Sequence, residues 1–270
     1  MLYLCPTPIG NLEDITYRTI RVLQEVDVIA AEDTRHSGSL LKHYGITTPM
    51  LSFHEHNEAK RSVEIANRIK NGEKIAVISD AGMPGISDPG SRLIRLMIEE
   101  ELPYTVLPGS NAAVVAVVAS GFPVEGYCYL GFLPTKSKAR DNLLNKVYEH
   151  PGPLVIYEAP HRLKNTLLGL AEVLGDRNVV LARELTKLHE TYHRGSLMEL
   201  AENHDPRGEY VVVVEGYIPE ALDDHQLKEA LNEAMGKGMS KSDAISWVCR
   251  KYDVKKNRVY SLALMEDIDG

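Results

Sequence analysis

Uninterrupted apolar stretches of about 18 residues or more, the length needed to cross a bilayer, are absent from this 270-residue chain, so no transmembrane helix is expected. The first residues lack the basic start and apolar core of a signal peptide, and a cytoplasmic location is the expectation. Cysteine is scarce. Cys5, Cys128 and Cys249 are odd in number and scattered, without zinc-site spacing, which suits a reducing compartment and predicts no bound metal. Excess positive charge is missing too: 30 Lys and Arg against 38 Asp and Glu give a net charge of −8. The chain as a whole therefore does not attract nucleic acid, and any such partner must be met by a local basic surface. The loop Pro8-Ile9-Gly10-Asn11-Leu12 holds one glycine and cannot form the Gly-x-Gly-x-x-Gly dinucleotide fingerprint. A Walker loop, a nucleophile elbow and a His-Glu-x-x-His helix are absent as well.

What is present is the make-up of a soluble folded protein, 44% hydrophobic and 25% charged, with enough length for two domains of ordinary size. Through residue 121 the pattern alternates strand and helix, which predicts an α/β domain with a parallel or mostly parallel sheet. Strands are expected at 2–7, 27–31, near Leu51, at 74–79 and at 104–107, and helices at 16–25, 37–44, 57–70, 91–101 and 111–120. After Gly121-Phe122-Pro123 a second α/β domain is expected over 122–218. Its strands are placed at 127–132, 154–157, 178–182 and 210–215, its helices at 139–149, 162–174 and 197–203, and a hairpin arm at 190–195. From 219 to 270 helix formers take over. Ser240 and Asp243 form a capping-box variant opening a helix through Lys251, and a break at Tyr252-Asp253-Val254 leads into a helix over 255–265, a helix-turn-helix-like unit.

The segment from Ile78 to Gly90 stands out. It follows an apolar run and combines Gly82, Gly85, Gly90, Pro84 and Pro89 with Ser79, Asp80 and Asp88, so the backbone can approach a ligand while carboxylates supply acceptors. A plain turn with Asp88 capping the next helix is the alternative. Further polar clusters close other predicted strands: Glu32-Asp33-Thr34-Arg35, Ser52 to Asn57, Pro108-Gly109-Ser110-Asn111, Tyr157-Glu158-Ala159-Pro160-His161-Arg162 and Ala182 to Lys187. The carboxyl ends of strands in open α/β sheets are where ligands bind.

Taken in order, these clusters with Thr7-Pro8-Ile9-Gly10-Asn11-Leu12 resemble the tetrapyrrole-methylase superfamily of S-adenosylmethionine-dependent enzymes, most closely its bacterial ribosomal RNA branch. The resemblance implies two α/β domains with the methyl donor in the cleft between them, usually in a homodimer, and 2′-O-methylation of a cytidine ribose in small-subunit ribosomal RNA. Carried over by position, it implies donor contacts from Pro8, from Ser79, Asp80, Ala81, Gly82 and Met83, from Asn111 and Ala112, and from Tyr157, Glu158 and Leu185. Ser79-Asp80-Ala81 replaces the superfamily's Gly-Asp-Pro, so Asp80 is kept while its neighbours depart.

Transfer to a ribose hydroxyl is an in-line substitution that needs alignment and a proton acceptor. Asp33, His54 and Glu184 are the candidate acceptors, and Arg35 the candidate orienting cation. Arg162, Lys187, Lys136, Lys138 and Arg140, with Lys255 and Lys256 of the helical tail, could contact RNA phosphates. Plainer roles are open for the same residues: an Asp33–Arg35 ion pair, a hydrogen-bonded loop histidine at 54, a Glu184–Lys187 pair across a turn, and a solvated basic tail. Two other functions compete. One is methylation of a small tetrapyrrole on the same fold, and the other is a non-enzymatic RNA-binding adaptor.

Overall fold

The computed structural model describes residues 1–219, 222–252 and 254–265, and the chain divides into two compact units, Met1–Gly216 and Tyr217–Gly270. Apolar sequence dictates the centre of the first sheet. Val28–Ala31 (β2) and Ile75–Ile78 (β4) are buried at every position, the state of a parallel strand covered on both faces by helices. Around them lie Leu2–Leu4 (β1), Met50–Ser52 (β3) and Tyr104–Val106 (β5), all parallel, in the order β3-β2-β4-β1-β5. Side chains alternate across the pleat. Leu2, Leu4, Val28, Ala30, Ile75 and Val77 face Glu58–Lys70 (α3) and Ser91–Glu99 (α4), while Ile29, Ala31, Ala76 and Ile78 face Tyr17–Glu25 (α1) and Thr34–His43 (α2).

Two boundaries differ from expectation for reasons that bear on the site. The first strand stops at Leu4, because Pro6 and Pro8 have no N–H for a ladder, and Thr7 alone pairs with Gly82. Helix α2 starts at Thr34, three residues before the sequence pattern suggests, because the Asp33 side chain accepts from Arg35 N and caps it. Arg35 thus stands in a helix's first turn. A 3-10 turn over Leu12–Asp14 was not expected.

The second sheet is mixed. Cys128–Phe132 (β6) runs parallel to Leu154–Glu158 (β7), and Tyr210–Val214 (β10), Asn178–Arg183 (β8) and Thr191–Ser196 (β9) continue antiparallel, in the order β6-β7-β10-β8-β9. The all-buried β10 is central, as its run of valines predicts. Ser137–Lys146 (α6), Leu163–Leu174 (α7) and Leu197–Glu202 (α8) cover one face. The other face is covered by Ala112–Ser120 (α5), which follows the last strand of the first sheet but packs Ala113, Ala116 and Val117 against Val155, Ala182, Val211 and Val213.

The C-terminal unit is a three-helix cluster of Asp224–Gly236 (α9), Lys241–Tyr252 (α10) and Lys256–Met265 (α11) around Leu227, Leu231, Ile245, Val248 and Leu262. The sequence pattern separates only the last two. Helix α9 opens on an Asp223–Gln226 capping box, and Ser240 accepts from Asp243 N as expected. The composition change from Ala221 and the break at Asp253 fall on residues outside those described.

Leu167 is fully buried between α7 and the second sheet. Leu167→Ala is expected to cost about 2–5 kcal/mol, from lost apolar burial and the cavity left behind, and a fall in the denaturation midpoint of the purified protein measures it.

Candidate functional site

The strand order reverses between β4 and β1, the place where an open α/β sheet leaves a crevice at its carboxyl ends. Two loops leaving those strands are clamped together there. Thr7 N donates to Gly82 O at 2.9 Å and Gly82 N returns a bond to Thr7 O at 3.0 Å. Ser79 is buried: its carbonyl accepts from the Thr7 hydroxyl at 3.1 Å, and its own hydroxyl donates to Gly82 O at 3.1 Å. Gly82 has φ +84°, and a Cβ there would stand 3.2 Å from the Ile9 side chain, so glycine answers both a backbone and a space requirement. Asp80 Oδ1 accepts from Asp33 N at 3.1 Å, tying the end of β4 to the end of β2.

Beyond this clamp the loop reaches the second sheet. Ser87, at φ +63°, shares a 2.6 Å hydrogen bond with the Tyr129 hydroxyl, and Tyr129 and Phe132 make edge contacts with the Tyr157 ring. Asp88 does not cap the following helix. Gly90 occupies that position, and the Glu58 carboxylate accepts from Gly90 N and Arg92 N. Helix α5 supplies the remaining edge. The Asn111 side chain accepts from Val114 N, and the Tyr157 hydroxyl accepts from Ala113 N at 3.2 Å, anchoring the second sheet to the helix start.

Between these elements lies a cleft of roughly 470 Å³, within the range of about 300–1,000 Å³ usual for small-molecule sites. Asp80, Ala81, Gly82, Met83, Asn111, Ala112, Tyr157, Glu158 and Leu185 line it. Pro8 and Ser79 are buried behind its wall and act through the loops they hold. The antiparallel register adds Ala182, Tyr210 and Val211, since Tyr210 pairs with both Glu158 and Arg183 and brings the start of β10 to the rim formed by the ends of β7 and β8. Ala182 opens one of the expected strand-end clusters, but the sequence carried no sign of Tyr210 and Val211, because periodicity does not reveal which strands pair.

The four expected catalytic residues do not line the cleft. Asp33 is a half-buried helix cap that Arg35 grips through its side chain, with bonds of 3.2 and 2.9 Å. Those bonds hold the Asp33 carboxyl down at about 2, too acidic to take a proton near neutrality. The Arg35 side chain is 91% exposed. His54 hydrogen-bonds Asn57 in the turn after β3, and its Nδ1 is buried without a protein partner. Glu184 is partly desolvated, which pushes its pKa up, yet Lys187 and the Glu209 N–H outweigh that and leave it lowered. Its lone pairs serve the β8–β10 corner.

Several expected RNA contacts are engaged in structure instead. Arg162 donates to Leu133 O and pairs with buried Glu158, and Lys187 bridges Glu184 and Glu209 at 3.1 and 2.6 Å. Arg140 pairs with Asp141 and lies over Gly169, with its side chain 16% exposed. Lys136 and Lys138 are exposed, as are Lys255 and Lys256 in the C-terminal unit.

Glu32 and Asp88 join Asp80 in the cleft, although neither was among the expected site residues. Burial, and after it the charge of Asp80, raises the Glu32 pKa; burial, and after it the charges of Glu32 and Asp80, pushes Asp88 up to about 7. Glu32 Oε2 is buried with no hydrogen-bond partner in the protein. Their positions at a strand end and in the glycine-rich loop were visible in the sequence, but their convergence was not. One acidic wall facing Ile9, Met83, Phe132, Leu185 and Val211 suits a ligand with an apolar body and a positive charge, and S-adenosylmethionine, a sulfonium nucleoside, has both.

Residues 1–201 match the family described as Tetrapyrrole (Corrin/Porphyrin) Methylases. Proteins named Ribosomal RNA small subunit methyltransferase I are similar over nearly the full chain. The one from Synechocystis sp. is 41% identical, covering 100% of this chain and 99% of its own, and the one from Escherichia coli O157:H7 is 42% identical, covering 97% and 94%. Among solved structures, a diphthine synthase superposes with a TM-score of 0.65 at 12% identity, covering 80% of this chain and 89% of its own. A uroporphyrin-III C-methyl transferase from Thermus thermophilus, complexed with S-adenyl homocysteine, does so with a TM-score of 0.56 at 17% identity, covering 79% and 96%. This chain belongs to the tetrapyrrole (corrin/porphyrin) methylases, and it is a methyltransferase of that family, dependent on S-adenosylmethionine.

Proposed function

We propose that this protein methylates the 2′-hydroxyl of a cytidine ribose in small-subunit ribosomal RNA, in the cytoplasm, acting on the RNA or the assembled small subunit. The observation that carries the proposal is the similarity of 41–42% to relatives named for small-subunit rRNA methylation, spanning the cleft residues and the C-terminal unit alike. When bound, S-adenosylmethionine supplies a methyl group made electrophilic by a positive sulfur.

The chain's residues have three tasks. The Thr7–Gly82 clamp fixes the backbone of the 79–83 loop, where the missing side chain at 82 leaves room for close approach. Tyr157, held by Ala113 N, and Leu185 close the opposite wall, and water excluded from it strengthens the attraction between the acidic wall and a cationic donor. Lys136 and Lys138 at the exit of β6, and Lys255 and Lys256 at the start of α11, offer phosphates the local positive charge that an acidic protein lacks overall. Arg35 adds an exposed guanidinium beside the end of β2. Alignment of hydroxyl and methyl in a desolvated cleft supplies most of the acceleration.

A second copy of the chain is the partner we propose for α5. This helix is apolar all round; one side meets the second sheet, while Val114, Val115 and Val118 face outward, with Val118 76% exposed.

Labelled methyl transfer to ribosomal RNA from cells lacking this protein, with the product nucleoside identified by mass spectrometry, tests the reaction. The expected product is 2′-O-methylcytidine, and a base-methylated nucleoside or no transfer refutes the proposal. Gly82→Ala is expected to cost about 1 kcal/mol or more from its positive φ and to weaken donor binding in calorimetry at least as much. Val118→Asp is expected to convert a dimer to monomer in sedimentation velocity; an unchanged dimer places the interface elsewhere.

A further inference from the structure

The hydroxyl that attacks the methyl group must lose a proton, and the groups lining the cleft can be sorted by what already holds them. Glu158 is fully buried, with its oxygens bound to Ala159 N, the Thr166 hydroxyl and Arg162. Glu209 is drawn off to Lys187 at 2.6 Å. Asp80 is engaged by Asp33 N. The Tyr157 hydroxyl is anchored to Ala113 N, and burial drives its pKa far above neutrality. Glu32 and Asp88 have no ion-pair partner among the described residues; Glu32 is held by the Asp80 backbone and Asp88 by the Ser79 hydroxyl, and their positions differ. Glu32 follows β2 on the side of the first sheet. Asp88 stands next to Ser87, whose hydroxyl binds Tyr129 of the second sheet, so the carboxylate lies where the loop crosses from one rim to the other.

We infer that Asp88 is the catalytic base, accepting the proton of the attacking hydroxyl, and that Glu32 is a positioning residue acting through it. The inference rests on the methyl-transfer reading above. In the step, the hydroxyl oxygen forms the new C–O bond as the C–S bond breaks. The bonding pair passes to sulfur, which becomes a neutral thioether, and the proton passes to the Asp88 carboxylate. Mass and charge balance without any further reactant.

The groups facing Asp88 explain why it suits the task. From the first sheet come the carboxylates Glu32 and Asp80 and the Ser79 hydroxyl; from the second come the phenols Tyr129 and Tyr157. Burial and the two carboxylates oppose its ionisation, while Ser79 favours it, and the balance lies at about 7. A base so placed is ionised in a useful fraction at neutral pH and still basic enough to accept a proton. Asp33 and Glu184, with lowered pKa values, lack the second property.

Asp88→Asn, Asp88→Glu and Glu32→Gln test this, each checked for fold by circular dichroism and for donor affinity by calorimetry. Asp88→Asn is expected to lower kcat, measured at saturating donor, about 100-fold or more, a loss well beyond the weaker donor binding that follows from removing one carboxylate of the acidic wall. For the wild type, kcat/KM should rise with pH through about 7, as Asp88 of the donor-free protein loses its proton, and this limb should vanish in Asp88→Asn. Asp88→Glu should restore the limb and part of the rate. In Glu32→Gln the limb should move to lower pH, because removing a neighbouring negative charge makes Asp88 easier to ionise. Independently of turnover, carbon-13 NMR of aspartate-labelled, donor-free protein should show one carboxyl titrating near neutrality that is missing in Asp88→Asn.

Retention of rate and limb by Asp88→Asn at saturating donor, loss of both in Glu32→Gln alone, or a fall in Asp88→Asn rate that saturating donor restores would each overturn the inference. So would a failure of Asp88→Glu to recover the limb. If wild-type protein transfers no methyl to ribosomal RNA, the functional reading fails instead, and the NMR titration still decides whether Asp88 has the property claimed for it.

Discussion

The packing of α5 against the second sheet is the contact on which the cleft depends. Ala113 and Ala116 present no side chain beyond Cβ, so the helix lies close to Val155, Ala182, Val211 and Val213, and its first turn donates to the Tyr157 hydroxyl. That helix is the direct continuation of β5 through Leu107 to Asn111, so its placement carries the carboxyl ends of the first sheet to the rim of the second. Two sheets with separate cores thereby act as one compact unit. Each buried valine at this seam contributes about 1.5 kcal/mol or more of burial, and the alanines, which add less, let the helix approach closely enough to fix the cleft's width.

Charge is distributed by task. Glu32, Asp80 and Asp88 converge on a half-buried wall where burial, and after it their mutual repulsion, raises the pKa values of Glu32 and Asp88, a cost that a packed fold sustains only because the surrounding loops are over-determined by hydrogen bonds. A cationic donor relieves that repulsion. Lys136 and Lys138 are exposed and do not line this wall, and the C-terminal unit has exposed cations of its own at Lys255 and Lys256. A net charge of −8 therefore does not conflict with an RNA substrate, since screening limits each charge to about 8–10 Å of reach.

The glycine-rich loop, its strand-end neighbours and Tyr157 were legible because their chemistry is local: glycine and proline fix the backbone, and a strand end in an α/β fold has a predictable address. The catalytic candidates were not. Asp33 and Arg35 have the residue types of a reactive pair, but one cap bond moves the helix start to Thr34 and turns both outward. Glu184 and Lys187 satisfy each other at a corner with positive φ at Glu184, and Arg140 folds back over Gly169. Which carboxylates are held depends on side-chain orientation, with partners both near in sequence, as Arg35 for Asp33, and remote, as Glu209 N for Glu184.

By itself the sequence determined the local order: alternating strands and helices, the buried character of β2, β4 and β10, and the glycine-rich loop after β4. Only the tertiary structure decided how these meet. The antiparallel register that brings Tyr210 and Val211 to the cleft, the helix that joins two sheets, and the convergence of Glu32, Asp80 and Asp88 all depend on contacts between segments distant along the chain. The physical reason is that backbone preference acts over a few residues, whereas desolvation and charge coupling depend on distance in space.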